Sequence, residues 1–221
     1  MSKRILIVAD RLGCPSELIG VADTWTDRIL SKWSNEKIQF YTYCEHGLAA
    51  SYIDMDYVRE IAPDFIIMQI GIVDACRRSL SLEELKFIKH LPVVSKIIKK
   101  ICNRYHYEIT KIRDIHYCPI GKFDNIIRKI HEDTGAKISF ISIAPAGKGL
   151  IKKVYNIQND IDSYNSVVKS ISSIMYINPY EENVDDFILS DGHHLNLRGQ
   201  EMVFSAVDKV IEKFFKEVEN V

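Results

Sequence analysis

Asp191 and His194 lie three residues apart in the run Ser190-Asp-Gly-His-His-Leu-Asn196, with Gly199 just downstream. On a tight turn, a carboxylate and an imidazole at that spacing can aim their side chains the same way. The carboxylate then accepts from one ring nitrogen and fixes the tautomer, leaving the other nitrogen free to take a proton. Gly192 permits the turn and Gly199 eases the start of the next helix. Asp-x-x-His also arises by chance in loops with surface histidines. Its place here, after the last expected strand and at a helix start, is what singles it out. Cys14, three positions after Arg11, would need to form a thiolate pair with His194 to serve as a nucleophile. A small buried cysteine before Pro15 is the plainer reading. Ser16 and Ser51 are weaker nucleophile candidates. His46 and His193 can join His194 as metal ligands, but no ligand spacing supports a metal, and no cofactor is expected.

These groups need a framework. Residues 5–9, 65–70 and 137–143 are continuous apolar runs. Residues 37–43 alternate and are aromatic, and residues 174–177 form a short run stopped by Pro179. All five are expected strands. Helices are expected over 15–33, opened by Pro15 and Glu17; over 51–61, stopping before Pro63; and over 81–104, kinked or split at Pro92. Three more follow at 123–133, 158–173 and 199–218. Strands alternating with helices predict a parallel sheet of about five strands, covered on both faces. The fold class is therefore α/β, a flavodoxin-like three-layer α/β/α sandwich. Ligands in such sheets sit beyond the carboxyl ends of the strands, which selects residues 10–15, 45–49, 71–78 and 144–149. Residues 79–122 are long for one crossover and predict a helical insertion within a single domain spanning 1–221. That insertion can serve as a lid, a packing surface or a homo-oligomer contact. Tyr105, Tyr107 and Tyr117, with His106 and His116, can form a sugar-stacking wall there, although a partly buried insertion would look the same. Trp25 and Trp33 are eight residues apart and read as core.

The 221 residues are 47% hydrophobic and 27% charged, an ordinary globular profile. Lys plus Arg number 29 against 30 for Asp plus Glu, so nothing steers the molecule as a whole toward nucleic acid or an anionic membrane. The basic stretch Lys96, Lys99, Lys100 and Arg104 reads as the solvated face of a helix. Five cysteines, an odd count without a Cys-x-x-Cys pair, indicate neither zinc nor a disulfide framework. A reducing cytoplasm is the expected compartment. The N-terminal apolar run ends at Asp10, too short for a secretory signal, and no segment approaches a membrane span.

The block Asp191-Gly-His-His194-Leu-Asn196, with Gly199, resembles the C-terminal block of the SGNH, or GDSL, hydrolase family, where it supplies the catalytic Asp and His. The family's first block normally reads Gly-Asp-Ser after strand one; Ala9-Asp10-Arg11-Leu12 aligns with it. Gly47 in Cys-Glu-His-Gly47 matches the second block. The third, Gly-x-Asn-Asp, is matched by Gly71 and Asp74 in Gly71-Ile-Val-Asp74. The longer run Gly71-Ile-Val-Asp74-Ala-Cys-Arg-Arg78 is similar to a subgroup among bacterial surface-polysaccharide gene products. The resemblance spans residues 5 to about 207 and implies the SGNH-hydrolase fold. It also implies ester hydrolysis or acyl transfer on a small-molecule or glycan substrate, with Asp191 and His194 catalytic and Gly47 a backbone donor.

Two departures change that expectation. Arg11 occupies the position of the serine nucleophile, and arginine is a permanent cation that cannot attack a carbonyl. Val73 replaces the asparagine that donates to the oxyanion, a loss worth on the order of a hundredfold or more in rate. At a strand end, where backbone N–H groups already favour an anion, the guanidinium can instead grip a phosphate or carboxylate bidentately. Arg77 and Arg78 can add to that positive pocket. Arg11, Asp10, Gly47, Gly71, Asp74 and Arg78 are therefore the expected substrate-side residues, although Asp10 is mostly structural in the family. The alternative is that Arg11 pairs with Asp10, Asp74 or Asp191 and plugs a dead site. Three roles follow: an enzyme acting on an acylated or anionic carbohydrate, with water or a substrate hydroxyl activated by His194; an inactive module that binds an anionic glycan or nucleotide sugar; or an oligomerisation role for 79–122.

Overall fold

In the computed structural model, residues 2–34, 37–181 and 183–219 are described. The apolar runs form the centre. Strands β1 (Lys3–Ala9), β2 (Ile38–Cys44), β3 (Phe65–Gln69), β4 (Lys137–Ile141) and β5 (Ile174–Ile177) make one all-parallel sheet in the order β2-β1-β3-β4-β5. Ile5 of β1 sits opposite Phe40 of β2 and Phe65 of β3. Helices follow the strands: α1 (Trp25–Trp33), α2 (Met55–Ile61), α3 (Ile72–Ala75), α4 (Leu82–Lys89), α5 (Pro92–Arg104), α6 (His106–Ile112) and α7 (Ile120–Thr134), then α8 (Lys148–Ile151), α9 (Ile157–Lys169), α10 (Val184–Phe187) and α11 (Leu197–Glu219).

Alternate residues of each central strand serve two cores. Leu6, Val8, Ile66 and Met68 point to the side covered by α2, α7 and α9. Ile5, Ile7, Phe65 and Ile67 point to the side covered by α1 and α11. Both faces being buried is why the strands are apolar throughout rather than alternating. The expected three-layer α/β/α sandwich is what forms.

Some element boundaries differ from the sequence expectation. The helix expected from residue 15 starts ten residues later, at Trp25. The N–H of Ser16 donates to the carbonyl of Ile19, closing a turn, and the Thr24 hydroxyl accepts from the N–H of Asp27, capping α1. Likewise Asp54 caps α2, so residues 50–52 form only a 3₁₀ turn before it. Pro92 splits the long helical segment as expected, opening α5. The four-residue helices α8 and α10 were not anticipated.

Candidate active site

In the order β2-β1-β3-β4-β5, the crossovers leaving β1 and β3 run to opposite sides, and a crevice opens at their carboxyl ends. Asp10 follows β1 directly. Its N–H donates to the carbonyl of Gln69 at the end of β3 (3.0 Å), and its Oδ1 accepts from the N–H of Leu12 (2.9 Å). That cap winds Arg11–Gly13 into one 3₁₀ turn. Two side chains anchor the turn to the helices beneath. The Thr26 hydroxyl donates to the carbonyl of Gly13 (2.7 Å). Gln200 donates through Nε2 to the carbonyl of Leu12 (3.0 Å) and accepts at Oε1 from the N–H of Trp25 (2.9 Å). Arg11 is left exposed above the turn.

The second half of the site comes from the loop before α11. Ile188 and Leu195 form an antiparallel bridge, and the N–H of Leu189 donates to the carbonyl of His194 (2.7 Å). Gly192, at φ +89°, lies against the α8 loop, where the N–H of Gly147 donates to its carbonyl (2.8 Å). A Cβ at Gly192 would sit 2.2 Å from the backbone nitrogen of Leu150. Asn196 caps α11 by accepting from the N–H of Gly199 (3.1 Å).

On this loop Asp191 Oδ1 accepts from the N–H groups of His193 (3.0 Å) and His194 (3.1 Å). Its Oδ2 lies 2.5 Å from His194 Nδ1. An ionised carboxylate only accepts, so Nδ1 carries the proton and Nε2 is the free, basic nitrogen. Burial works against the Asp191 charge, but the hydrogen bonds from His194 and the two amides outweigh it and hold the carboxyl well below the usual range. His193 lies against His194, with ring centroids 3.9 Å apart and the rings tilted by 40°. Burial and the neighbouring His194 lower its basicity, against the pull of Asp191.

Both halves face one cavity of about 450 Å³. Asp10, Arg11, Gly47, Val73, Arg78, His193 and His194 line it, together with His46, Arg77, His106 and Lys153. Arg11 makes no ion pair with any described residue. Each aspartate proposed as its plug is engaged elsewhere: Asp10 with Leu12, Asp74 with the N–H of Ala50, and Asp191 with His194. Arg77 grips Asp160 through two nitrogens (2.7 and 3.0 Å). Arg78 lies 4.8 Å over the ring of Tyr117, donates to the carbonyl of Val73, and has a buried Nε without a partner.

Several expected residues fall outside the cavity wall. Asp74 is fully buried, and burial raises its carboxyl to about 6. Gly71, at φ +119°, is pressed against Ile143 in the core. Both support the wall rather than form it. Cys14 is buried, its thiol donating to the carbonyl of Asp10 (3.4 Å), and neither Ser16 nor Ser51 lines the cavity. Of the five aromatic and imidazole groups suggested for a sugar wall, His106 alone lines it. Asp191, His193 and His194 place their ligand atoms within 4.8 Å of one another; His46 lies in the same wall but outside that group. Sequence reasoning missed Gln200 and Lys153. Gln200 directly follows the Gly199 of the C-terminal block, the only local hint. Lys153 had no local signal.

The sheet order β2-β1-β3-β4-β5, with helices on both faces, gives the SGNH-hydrolase fold. Solved structures agree. The chain is similar to a lipase/acylhydrolase from Enterococcus faecalis, with a TM-score of 0.64 at 15% identity over 96% of both chains. It is also similar to a lipolytic G-D-S-L family member from Veillonella parvula, with a TM-score of 0.61 at 11% identity over 95% of this chain and 98% of that one. A third is the psychrotrophic esterase EstA from a Pseudoalteromonas species, at 0.58 and 14% identity over 97% and 100%. At these identities the likeness is one of fold. No protein-family model matches the chain, and no curated protein does.

Proposed function

We propose that this protein hydrolyses or transfers an acyl ester on an anionic carbohydrate, with His194 as base and no serine nucleophile. The observation that carries the reading is the 2.5 Å contact between His194 Nδ1 and Asp191, which leaves Nε2 free at a cavity wall that also presents the unpaired Arg11. A water or substrate hydroxyl attacks the acyl carbonyl while Nε2 takes its proton. The ester C–O bond then breaks, and the imidazolium, stabilised by Asp191, returns the proton to the leaving oxygen. Holding the attacking hydroxyl in place supplies part of what the missing nucleophile would have given. Gly47 lines the same cavity, and its N–H, which makes no hydrogen bond among the described residues, is a candidate oxyanion donor.

Charge supports an anionic substrate. Arg11, Arg78 and Lys153 are cations of the wall, and Arg77 is already neutralised by Asp160. Asp10 is the one acid among the lining residues, and burial pushes its carboxyl up to about 8, so at neutral pH it is largely uncharged. The test is His194→Ala, assayed on esters of uronic or phosphorylated sugars. A loss of roughly a hundredfold or more in kcat is expected; undiminished turnover would overturn the mechanism.

The departures at Arg11 and Val73 favour a second reading, a catalytically inactive module that binds an anionic glycan or nucleotide sugar through Arg11. Arg11→Ser separates the two. Esterase activity that appears only in the variant means the parent site was assembled but disarmed.

A further inference from the structure

Helix α5 is barely embedded in the protein. Ser95 is its one buried residue, and Ile98 and Cys102 are half-buried on the same side. The remaining apolar side chains face outward: Val93 is 71% exposed, Ile97 57% and Ile101 50%, stacked at four-residue steps, with Val94 beside them. A soluble helix normally turns such a stripe inward. Phe87 of α4 is likewise 71% exposed.

The flank of this ridge is cationic. Lys96, Lys100 and Arg104 border it on α5, Lys99 lies on the far side of the helix, and Lys86 and Lys89 precede it on α4; all six are exposed. No Asp or Glu occurs from Leu85 to Tyr107, although the chain as a whole carries a net charge of −1. None of the five lysines pairs with an acid among the described residues. The solvated helix face expected from the sequence is thus present, but it borders an uncovered apolar ridge.

We infer that α5, with the end of α4, docks this protein onto an anionic lipid surface. An exposed apolar stripe bordered by lysines suits a helix lying in the bilayer interface, with the apolar side chains sunk and the ammonium groups at the headgroups. No helix of the described residues is long and apolar enough to cross a membrane, so the helix would lie on the bilayer. A second copy of the chain fits less well: a two-fold contact of the ridge with itself would bring lysine flank against lysine flank. Tyr105 ends the ridge, and the next residue, His106, lines the catalytic cavity, so docking would hold the cavity beside the lipid headgroups. The inference does not depend on the chemistry of His194.

The experiment is co-sedimentation of the full chain with vesicles of phosphatidylcholine alone, and of phosphatidylcholine mixed with phosphatidylglycerol. Binding to the mixed vesicles is expected, with little to the neutral ones and release as salt rises. Lys96→Gln, Lys100→Gln and Arg104→Gln together should weaken it by about a hundredfold, at roughly tenfold or less per cation. Ile97→Asp with Ile101→Asp should abolish it. All five sites are exposed, so melting temperatures should stay at the parent value. No binding to either vesicle would overturn the inference, as would binding indifferent to both sets of substitutions. A concentration-dependent dimer that Ile97→Asp dissociates, without vesicle binding, would assign the ridge to self-association instead.

Discussion

In the proposed function, Arg11 is the group that selects an anion. It stands where a nucleophile would be expected, is exposed, and makes no ion pair with any described residue, Asp10, Asp74 and Asp191 included. A guanidinium left free beside a basic imidazole is suited to holding an anion in reach of it. Arg11→Ala should therefore raise KM for an acylated uronic acid by about tenfold to a hundredfold, the worth of one charge-assisted contact, with a smaller effect on kcat. A neutral ester of the same acyl group should not respond. Equal losses on both substrates would mean that Arg11 shapes the loop rather than binding charge. Asp191→Asn is expected to cost kcat about a thousandfold or more, because an amide can present a donor to Nδ1 and favour the wrong tautomer. An unchanged KM would confirm that the defect lies in proton transfer.

At the scale of elements, two loops pressed together place His194. Gly192 has a positive φ, and any Cβ there would collide with the backbone of Leu150. Gly192→Ala should destabilise the protein by about 3 kcal/mol and lower activity with it. Gly47→Ala is the contrast. Gly47 has φ +74° but open space around it, so the backbone cost alone, about 1 kcal/mol, is expected. Melting curves of the two variants check the difference. The elements themselves were unevenly legible in the sequence. β1, β3 and β4 could be read because burial on both faces makes a strand continuously apolar. The start of α1 could not: Pro15 and Glu17 are good first-turn residues, yet Thr24 supplies the cap that forms. The four-residue helices α8 and α10 are too short to show a period. The Asp191–His194 pair was legible because both groups lie on one turn. Gln200 was not, because its partners, Leu12 and Trp25, are more than 170 residues away in the chain.

For the molecule as a whole, the buried carboxyls set how stability depends on pH. Asp10 is almost fully buried, and its Oδ2 has no hydrogen-bond partner. Burial, reinforced by Asp74 and Cys14 and only partly offset by the N–H of Leu12, raises its pKa to about 8. Asp74 is raised to about 6, again mainly by burial. Both bind a proton more tightly folded than unfolded, where an ordinary aspartate titrates near about 4. Stability therefore falls as pH rises from about 4 through both groups together, Asp74's share ending near about 6 and Asp10's continuing to about 8. Asp191 acts in the opposite direction. Held low by His194 and two amides, it contributes fully above the ordinary aspartate range, and that contribution is lost as the pH falls below it. For these three carboxyls alone, the two trends together favour the acid side of neutrality. Asp10→Asn tests this directly, because the amide oxygen can still accept from the N–H of Leu12 while the ionisation is removed. At pH 3, below the unfolded pKa, its melting temperature should match the parent's. At pH 9 it should be higher, by an amount reflecting as much as about 5 kcal/mol. A difference that stays constant across that range would mean that Asp10 acts through its hydrogen bond alone and that burial of its charge costs the fold nothing.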